Sequence, residues 1–273
     1  MKEKIDAAAN ALAAVREKKP LVMCLTNSVA AEFTANALVA IGVSPVMLAE
    51  NGEVLKFAEL CDSALVNVGT VSREQGEAMR AVVTRMNAFK KPWVLDPVAY
   101  GLLPFRTFLC NEFMRRRPAV IRANAAEVAA MAGEAPACHG VDCGEVAGDP
   151  AQAKRVSAAC LTAVLLSGAT DYVVATDPIT RKTAPTLAVA NGSEMLPRIT
   201  ASGCVQGALA AAFAAVADCE TAALAAALVE SVAGEAAAKV AKGPGSFKAA
   251  FLDALAALTP ASLAKAAKVK ALG

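Results

Sequence analysis

The segment Ile199-Thr200-Ala201-Ser202-Gly203-Cys204 leads into an Ala-rich apolar run through Gln206-Gly207-Ala208-Leu209 to about Val216. A small-residue turn feeding a helix aims several unpaired backbone N–H groups, and the positive end of the helix dipole, at one point. Such a point attracts a phosphate or a developing anion. It also holds Cys204 where a thiol loses its proton more readily than in free solution, although a tight loop around a buried structural cysteine would look the same. Asp96 follows the apolar run Pro92-Trp93-Val94-Leu95, and Pro97 fixes the exit. A carboxylate there can hold Mg²⁺ through waters or cap a turn. Glu127 stands three residues after Asn124, which is capping-box spacing. With Asp96 it would also make a carboxylate pair suited to a hydrated Mg²⁺ on nucleotide phosphates. Arg122 directly follows an apolar run, where a guanidinium can grip phosphate oxygens in pairs or form a surface salt bridge. Asn27, Asn67, Gly69 and Thr70 end other apolar runs and offer hydrogen bonds and close backbone approach. Ser167-Gly168 adds a hydroxyl and a flexible turn.

Other chemistries find little support. The single histidine, His139, lies in Cys138-His139-Gly140-Val141-Asp142-Cys143. That spacing matches no established zinc pattern and reads as a connecting loop. A Ser-His-Asp triad would need His139 to fold back across the molecule. The chain has no GxxxxGK[ST] and no GxGxxG after a strand.

The elements that must position these residues alternate short β-branched runs with longer helical ones. Strands are expected at 21–25, 45–47, 63–68, 92–95, 119–121 and 162–166. Helices are expected at 5–16, 29–41, 54–61, 73–89 and 125–131, and Arg115-Arg116-Arg117 ends another before Pro118. Each strand ends in a polar or Gly-bearing residue, which in βα units marks the ligand edge of a parallel sheet. Continuous apolar strands imply helices on both faces. Residues 172–176 and 181–189, joined through Asp177-Pro178, read as an antiparallel edge hairpin. From Gly203 on the chain is helical, broken once at Gly243-Pro244-Gly245, with Ser246 capping the next helix. No linker divides the chain, so residues 1–273 read as one domain.

Bulk composition agrees. The 273 residues are 56% hydrophobic with a net charge of +2, room for one large α/β domain. Only 4% are aromatic and no basic tract exists, which argues against nucleic-acid binding. Eight cysteines without a framework, no CxxC and no cleavable signal point to reduced thiols in the cytoplasm. The uncharged runs 156–170 and 201–217 fall short of a membrane span.

An ordered series of short segments resembles the hydroxyethylthiazole kinase family. It comprises 20–27 with Phe33-Thr34-Ala35-Asn36, Ser44-Pro45-Val46-Met47, Val66-Asn67-Val68-Gly69-Thr70 and Leu95-Asp96-Pro97-Val98. It continues with 121–127, Ser167-Gly168 with Asp171, Ser202-Gly203-Cys204 and 243–247. The resemblance spans about Pro20 to Leu258. It implies a ribokinase-like three-layer α/β/α sandwich with a mostly parallel central sheet. It implies ATP-dependent phosphorylation of the primary alcohol of 4-methyl-5-(2-hydroxyethyl)thiazole in thiamine salvage, with Mg²⁺, by a homotrimer whose sites lie at subunit interfaces. By position it puts Met47, the Ala201 amide and Asn27 on the thiazole. Arg122, Ser167, Asn67, Gly69 and Thr70 fall on ATP, and Asp96 and Glu127 on Mg²⁺. Gly203 helps form the anion hole, and Cys204 takes the place of the Asp base of related sugar kinases. The alternatives within the same fold are a hydroxymethylpyrimidine kinase or a nicotinamide-nucleotide repair dehydratase, and outside catalysis a weak ligand-binding relative. The family has Gly where this chain has Ala201, commonly His at Met23, and a Gly-rich run at Ala99-Tyr100-Gly101. If that first Gly needs a positive φ, Ala201 strains the loop.

Overall fold

A computed structural model describes residues 1–48, 50–134 and 147–272. The Cys138–Cys143 segment with His139 lies outside them.

Among the described residues, nine strands form one sheet in the order β2-β1-β3-β4-β5-β6-β7-β8-β9. The first six, β1 (Leu21–Leu25), β2 (Ser44–Met47), β3 (Ser63–Asn67), β4 (Trp93–Asp96), β5 (Val120–Asn124) and β6 (Ala163–Ser167), are parallel. The remaining pairings, through β7 (Asp171–Ala175), β8 (Thr186–Val189) and β9 (Val269–Leu272), are antiparallel.

Strand alternation sends successive side chains to opposite faces, and both faces are covered. Val22, Cys24, Leu65, Val94, Val120 and Leu165 meet α1 (Lys2–Lys18), α2 (Ala31–Ala40), α8 (Ser202–Ala214), α9 (Cys219–Ala238), α10 (Pro244–Ala257) and α11 (Pro260–Ala266). Met23, Leu25, Val66, Trp93, Leu95 and Ile121 meet α3 (Asn51–Leu60), α4 (Arg73–Ala88), α5 (Pro104–Met114), α6 (Ala125–Met131) and α7 (Pro150–Cys160). The result is three layers, helix–sheet–helix. It explains why the strands carry no polar face.

Three expectations change. The fifth strand continues past Ile121 through Arg122 to Asn124, because it pairs with β6 along that whole length. Arg122 therefore projects from a strand and not from a loop. The antiparallel hairpin is not the sheet's edge: β9 pairs along β8, from Thr186↔Leu272 to Val189↔Val269. The chain after Gly203 is broken three times and ends in that strand. Ser246 sits in the first turn of α10, and its Oγ accepts from the Gly243 and Lys242 amides. Helix α9 is long and apolar enough to cross a membrane, yet most of it is buried inside the protein. Its composition is that of a core helix.

Candidate active site

The parallel strands end on one edge, so Asn27, Asn67, Asp96, Asn124 and Ser167 all stand there, spread over about 19 Å from β1 to β6 at normal strand spacing. The strand order reverses between β1 and β3, the place where open α/β sheets form a ligand crevice. Asn27 and Asn67 flank that reversal.

Their side chains make a saturated frame. Asn27 Nδ2 donates to Asn67 Oδ1 at 3.0 Å and to Cys204 Sγ at 3.4 Å. Its Oδ1 accepts from the Val29 and Ala30 amides, which starts α2. Asn67 Nδ2 donates to Asp96 Oδ2 at 2.6 Å and to Cys204 Sγ at 3.2 Å, and its Oδ1 also accepts from the Gly69 amide. A primary amide has two N–H groups and two lone pairs, so neither asparagine has capacity left for a ligand. This departs from the expectation that Asn27 touches substrate and Asn67 touches ATP: both build the wall. Gly69 must be glycine because a Cβ would lie 2.8 Å from Asn27 Nδ2. Thr70, at φ 47°, accepts from the Ser28 amide. Met47 ends β2, one strand beyond Asn27, half-buried.

At the centre of the frame sits Cys204, in the first turn of α8. Burial and the neighbouring Asp96 carboxylate push its thiol up to about 12. Contrary to the sequence expectation, its place at the start of the helix does not leave it with a lowered pKa, because desolvation and the carboxylate raise it. The sulfur is a neutral thiol that accepts from two asparagines.

Asp96 is fully buried. Burial first, and then Glu127, raise its carboxyl to about 7 against the pull of Arg122. Its Oδ1 has no hydrogen-bond partner and lies 4.0 Å from Arg122 Nη1. Glu127 closes a capping box with Asn124 and accepts from the Ala99 amide at 2.9 Å. That bond holds Ala99 at φ 63°. Among the described residues no group of three metal-ligating side chains forms a closed cage.

Arg122 dominates the other half. Its Nε donates to Gln206 Oε1 at 3.0 Å and its Nη2 to Ser167 Oγ at 2.6 Å. The guanidinium lies flat on Gly203, where a Cβ would come within 2.7 Å of Cζ. The amides of Ser202, Gly203 and Cys204 have no backbone acceptor among the described residues. A guanidinium and the positive end of a helix thus face the same point, an arrangement that an anion stabilises. Ala201 precedes them at φ 71°, ψ 9°, so the position the family gives to Gly does need a positive φ.

Gln206, Asp171 and Glu230 complete the site, and their roles were not read from the sequence. The usable signal was an amide or carboxyl set in an apolar stretch: Gln206 in α8, and Glu230 after 222–229 in α9. Gln206 Nε2 donates to Asp171 Oδ2 at 2.8 Å. Burial raises Asp171 to about 6 and holds Glu230 well above the usual carboxylate range.

Residues 12–261 match the model of the hydroxyethylthiazole kinase family. A hydroxyethylthiazole kinase of Cronobacter sakazakii is 42% identical over 251 residues, which are 91% of this chain and 92% of that one. The solved structure of the hydroxyethylthiazole kinase from Pyrococcus horikoshii superposes with a TM-score of 0.84 at 33% identity over all of both chains. A pyridoxal kinase from Staphylococcus aureus shares the fold alone, at TM-score 0.58 and 12% identity over 80% of this chain and 88% of that one.

Proposed function

The chain belongs to the hydroxyethylthiazole kinase family, a family of phosphotransferases with a ribokinase-like fold, and from that premise we propose how its residues serve the reaction. The γ-phosphoryl of ATP passes to the primary alcohol of 4-methyl-5-(2-hydroxyethyl)thiazole, a step of thiamine salvage. The O–P bond to the alcohol forms as the bond to ADP breaks, and the alcohol proton is released. Transfer of this kind needs alignment and charge neutralisation more than covalent help.

The observation that carries the reading is the positive pole made by the Arg122 guanidinium on Gly203 and the free amides of α8. The transferring phosphoryl lies there, where charge spreading onto its oxygens meets donors already oriented. Ser167 fixes the ATP side of Arg122. Asn67, Gly69 and Thr70 shape the rim from which ATP is approached. Met47 and the Ala201 amide face the thiazole, with Asn27 holding the wall behind it. Cys204 stands beside the reacting alcohol as a neutral thiol, helpful to alignment.

Mg²⁺ fits the residues present. Asp96 lies 4.0 Å from the Arg122 guanidinium, and Glu127 adds its negative charge to the same region. Asp96 also keeps a buried oxygen without a partner. Asp96 and Glu127 would hold the ion through waters, as befits Mg²⁺, which keeps several waters when bound to phosphates. The ion supplies neutralisation of the phosphate charge. The same reading takes residues 1–273 as one kinase domain, working in the cytoplasm as a homotrimer with sites at subunit interfaces, and with no nucleic-acid or membrane partner.

The test is ADP release with MgATP and a panel of small primary alcohols. Release that depends on the hydroxyethylthiazole, with a phosphate ester by ³¹P NMR, supports the reading. Turnover of a pyrimidine alcohol in its place, or calorimetric binding of the thiazole without ADP, would replace it.

A further inference from the structure

Behind Arg122 runs a chain of three hydrogen bonds. It goes from Arg122 Nε on β5 to Gln206 on α8 (3.0 Å), from Gln206 to Asp171 on β7 (2.8 Å), and from the Gly168 amide in the β6–β7 turn to Asp171 Oδ1 (2.9 Å). Gln206 is 1% exposed and Asp171 5%. Both ends of this chain are obligate donors, the Arg122 Nε–H and the Gly168 N–H. Between two donors, one amide and one carboxylate satisfy every bond. Two amides leave two N–H groups facing each other, and two carboxylates leave two oxygens facing each other.

We infer that Gln206 and Asp171 are positioning residues for Arg122, an amide–carboxylate pair whose fixed polarity aims the guanidinium at the phosphate of ATP. The inference rests on the reading of Arg122 as a phosphate ligand. The placing of the amide next to Arg122 has a consequence. A direct Arg–carboxylate fork would occupy paired N–H groups. A single Gln oxygen takes only Nε–H. With Ser167 on Nη2, three of the five guanidinium N–H groups remain for a ligand. Asp171 meanwhile supplies its negative charge one residue away. The pair also ties the guanidinium to α8 itself, so Arg122 and the free amides of that helix move as one unit. A flexible arginine would have to be ordered each time ATP bound, which weakens binding.

The polarity rule gives a test that a packing role would not satisfy. Asp171→Asn makes two amides and Gln206→Glu makes two carboxylates, so each should raise the KM for ATP by about tenfold, the scale of one misplaced buried hydrogen bond. The KM for the thiazole alcohol should stay within about twofold. The double variant Asp171→Asn/Gln206→Glu restores one of each in the reverse order, with the same shape and total charge; the second oxygen at position 206 then accepts from the amide at 171, so only one oxygen meets Arg122 and no fork forms. Its KM for ATP should return to within about threefold of the parent. ATP affinity by calorimetry should follow the same pattern without reliance on turnover. A double variant no better than the worse single would overturn the inference, as would single variants that lower kcat and raise both KM values alike. Arg122→Gln separates the two levels. If it leaves ATP affinity unchanged, Arg122 is not a phosphate ligand and the underlying reading falls. If it weakens ATP while Asp171→Asn does not, the positioning role alone falls.

Discussion

At the scale of the residue, the thiol does not take the part that the sequence suggests. A cysteine opening a helix reads as an activated nucleophile or base. In the fold its sulfur sits between two asparagine amides and a buried aspartate, and the proton stays on it up to about 12. A group acting as general base contributes on the order of 10²–10⁴ in rate. Cys204→Ala should therefore lower kcat by less than about tenfold, measured at saturating ATP and thiazole alcohol, and a hundredfold loss would return the base to the sulfur. Gly203 is the stricter position. Gly203→Ala inserts a Cβ into the guanidinium of Arg122 and should raise the KM for ATP at least about tenfold, with little change in the melting temperature because Arg122 lies at the rim of the core. Asp96 and Arg122 could be read as site candidates because each follows an apolar run, and Gly203 and Cys204 because they open one. Their partners were not. Whether Asn27 and Asn67 face a ligand or each other is decided by β1 and β3 lying side by side, a contact between residues 40 apart in the chain.

At the scale of the element, the site collects backbone strain. Thr70, Ala99 and Ala201 all take positive φ at the ligand edge without being glycine. An L-residue in that region is destabilised by about 1–2 kcal/mol. Helix caps elsewhere, such as Lys19 and Leu161, use the same conformation to stop a helix. Ala201 does the opposite and starts one, turning the chain so that the amides of Ser202 to Cys204 face the crevice. Ala201→Gly should stabilise the protein by about 1 kcal/mol in urea denaturation, the left-handed penalty less the added entropy of the unfolded chain. No gain would mean that the loop relaxes away from this geometry. The strands and most helices were readable because a doubly covered parallel sheet writes itself as apolar runs separated by helical periods. Strand β9 was not, since Val269-Lys270-Ala271-Leu272 follows a helix-rich third and is half exposed, and only its pairing with β8 makes it a strand.

At the scale of the molecule, α9, which packs on β5, β6 and β7, brings a further buried carboxyl under the influence of Arg122. Glu230 is 5% exposed, and its Oε1 has no hydrogen-bond partner. Burial keeps its proton on well above the ordinary value of 4.5, with Asp171 reinforcing burial and Arg122 opposing it. Asp171, raised to about 6 from 3.8, acts in the same direction. The folded protein thus holds protons that the unfolded chain has released, so stability falls as pH rises through and above these unfolded values. Glutamine has nothing to titrate. Glu230→Gln should track the parent below about pH 4, apart from a constant offset. Above that it should gain on the parent by up to about 1.4 kcal/mol per pH unit, until the folded-state acid itself ionises. Urea denaturation at a series of pH values reads this as a difference in slope, which an altered contact cannot mimic. Parallel curves for the two proteins would mean that Glu230 is already ionised in the fold, a direct counter-charge to Arg122, and ATP binding would then be expected to tighten when that charge is removed.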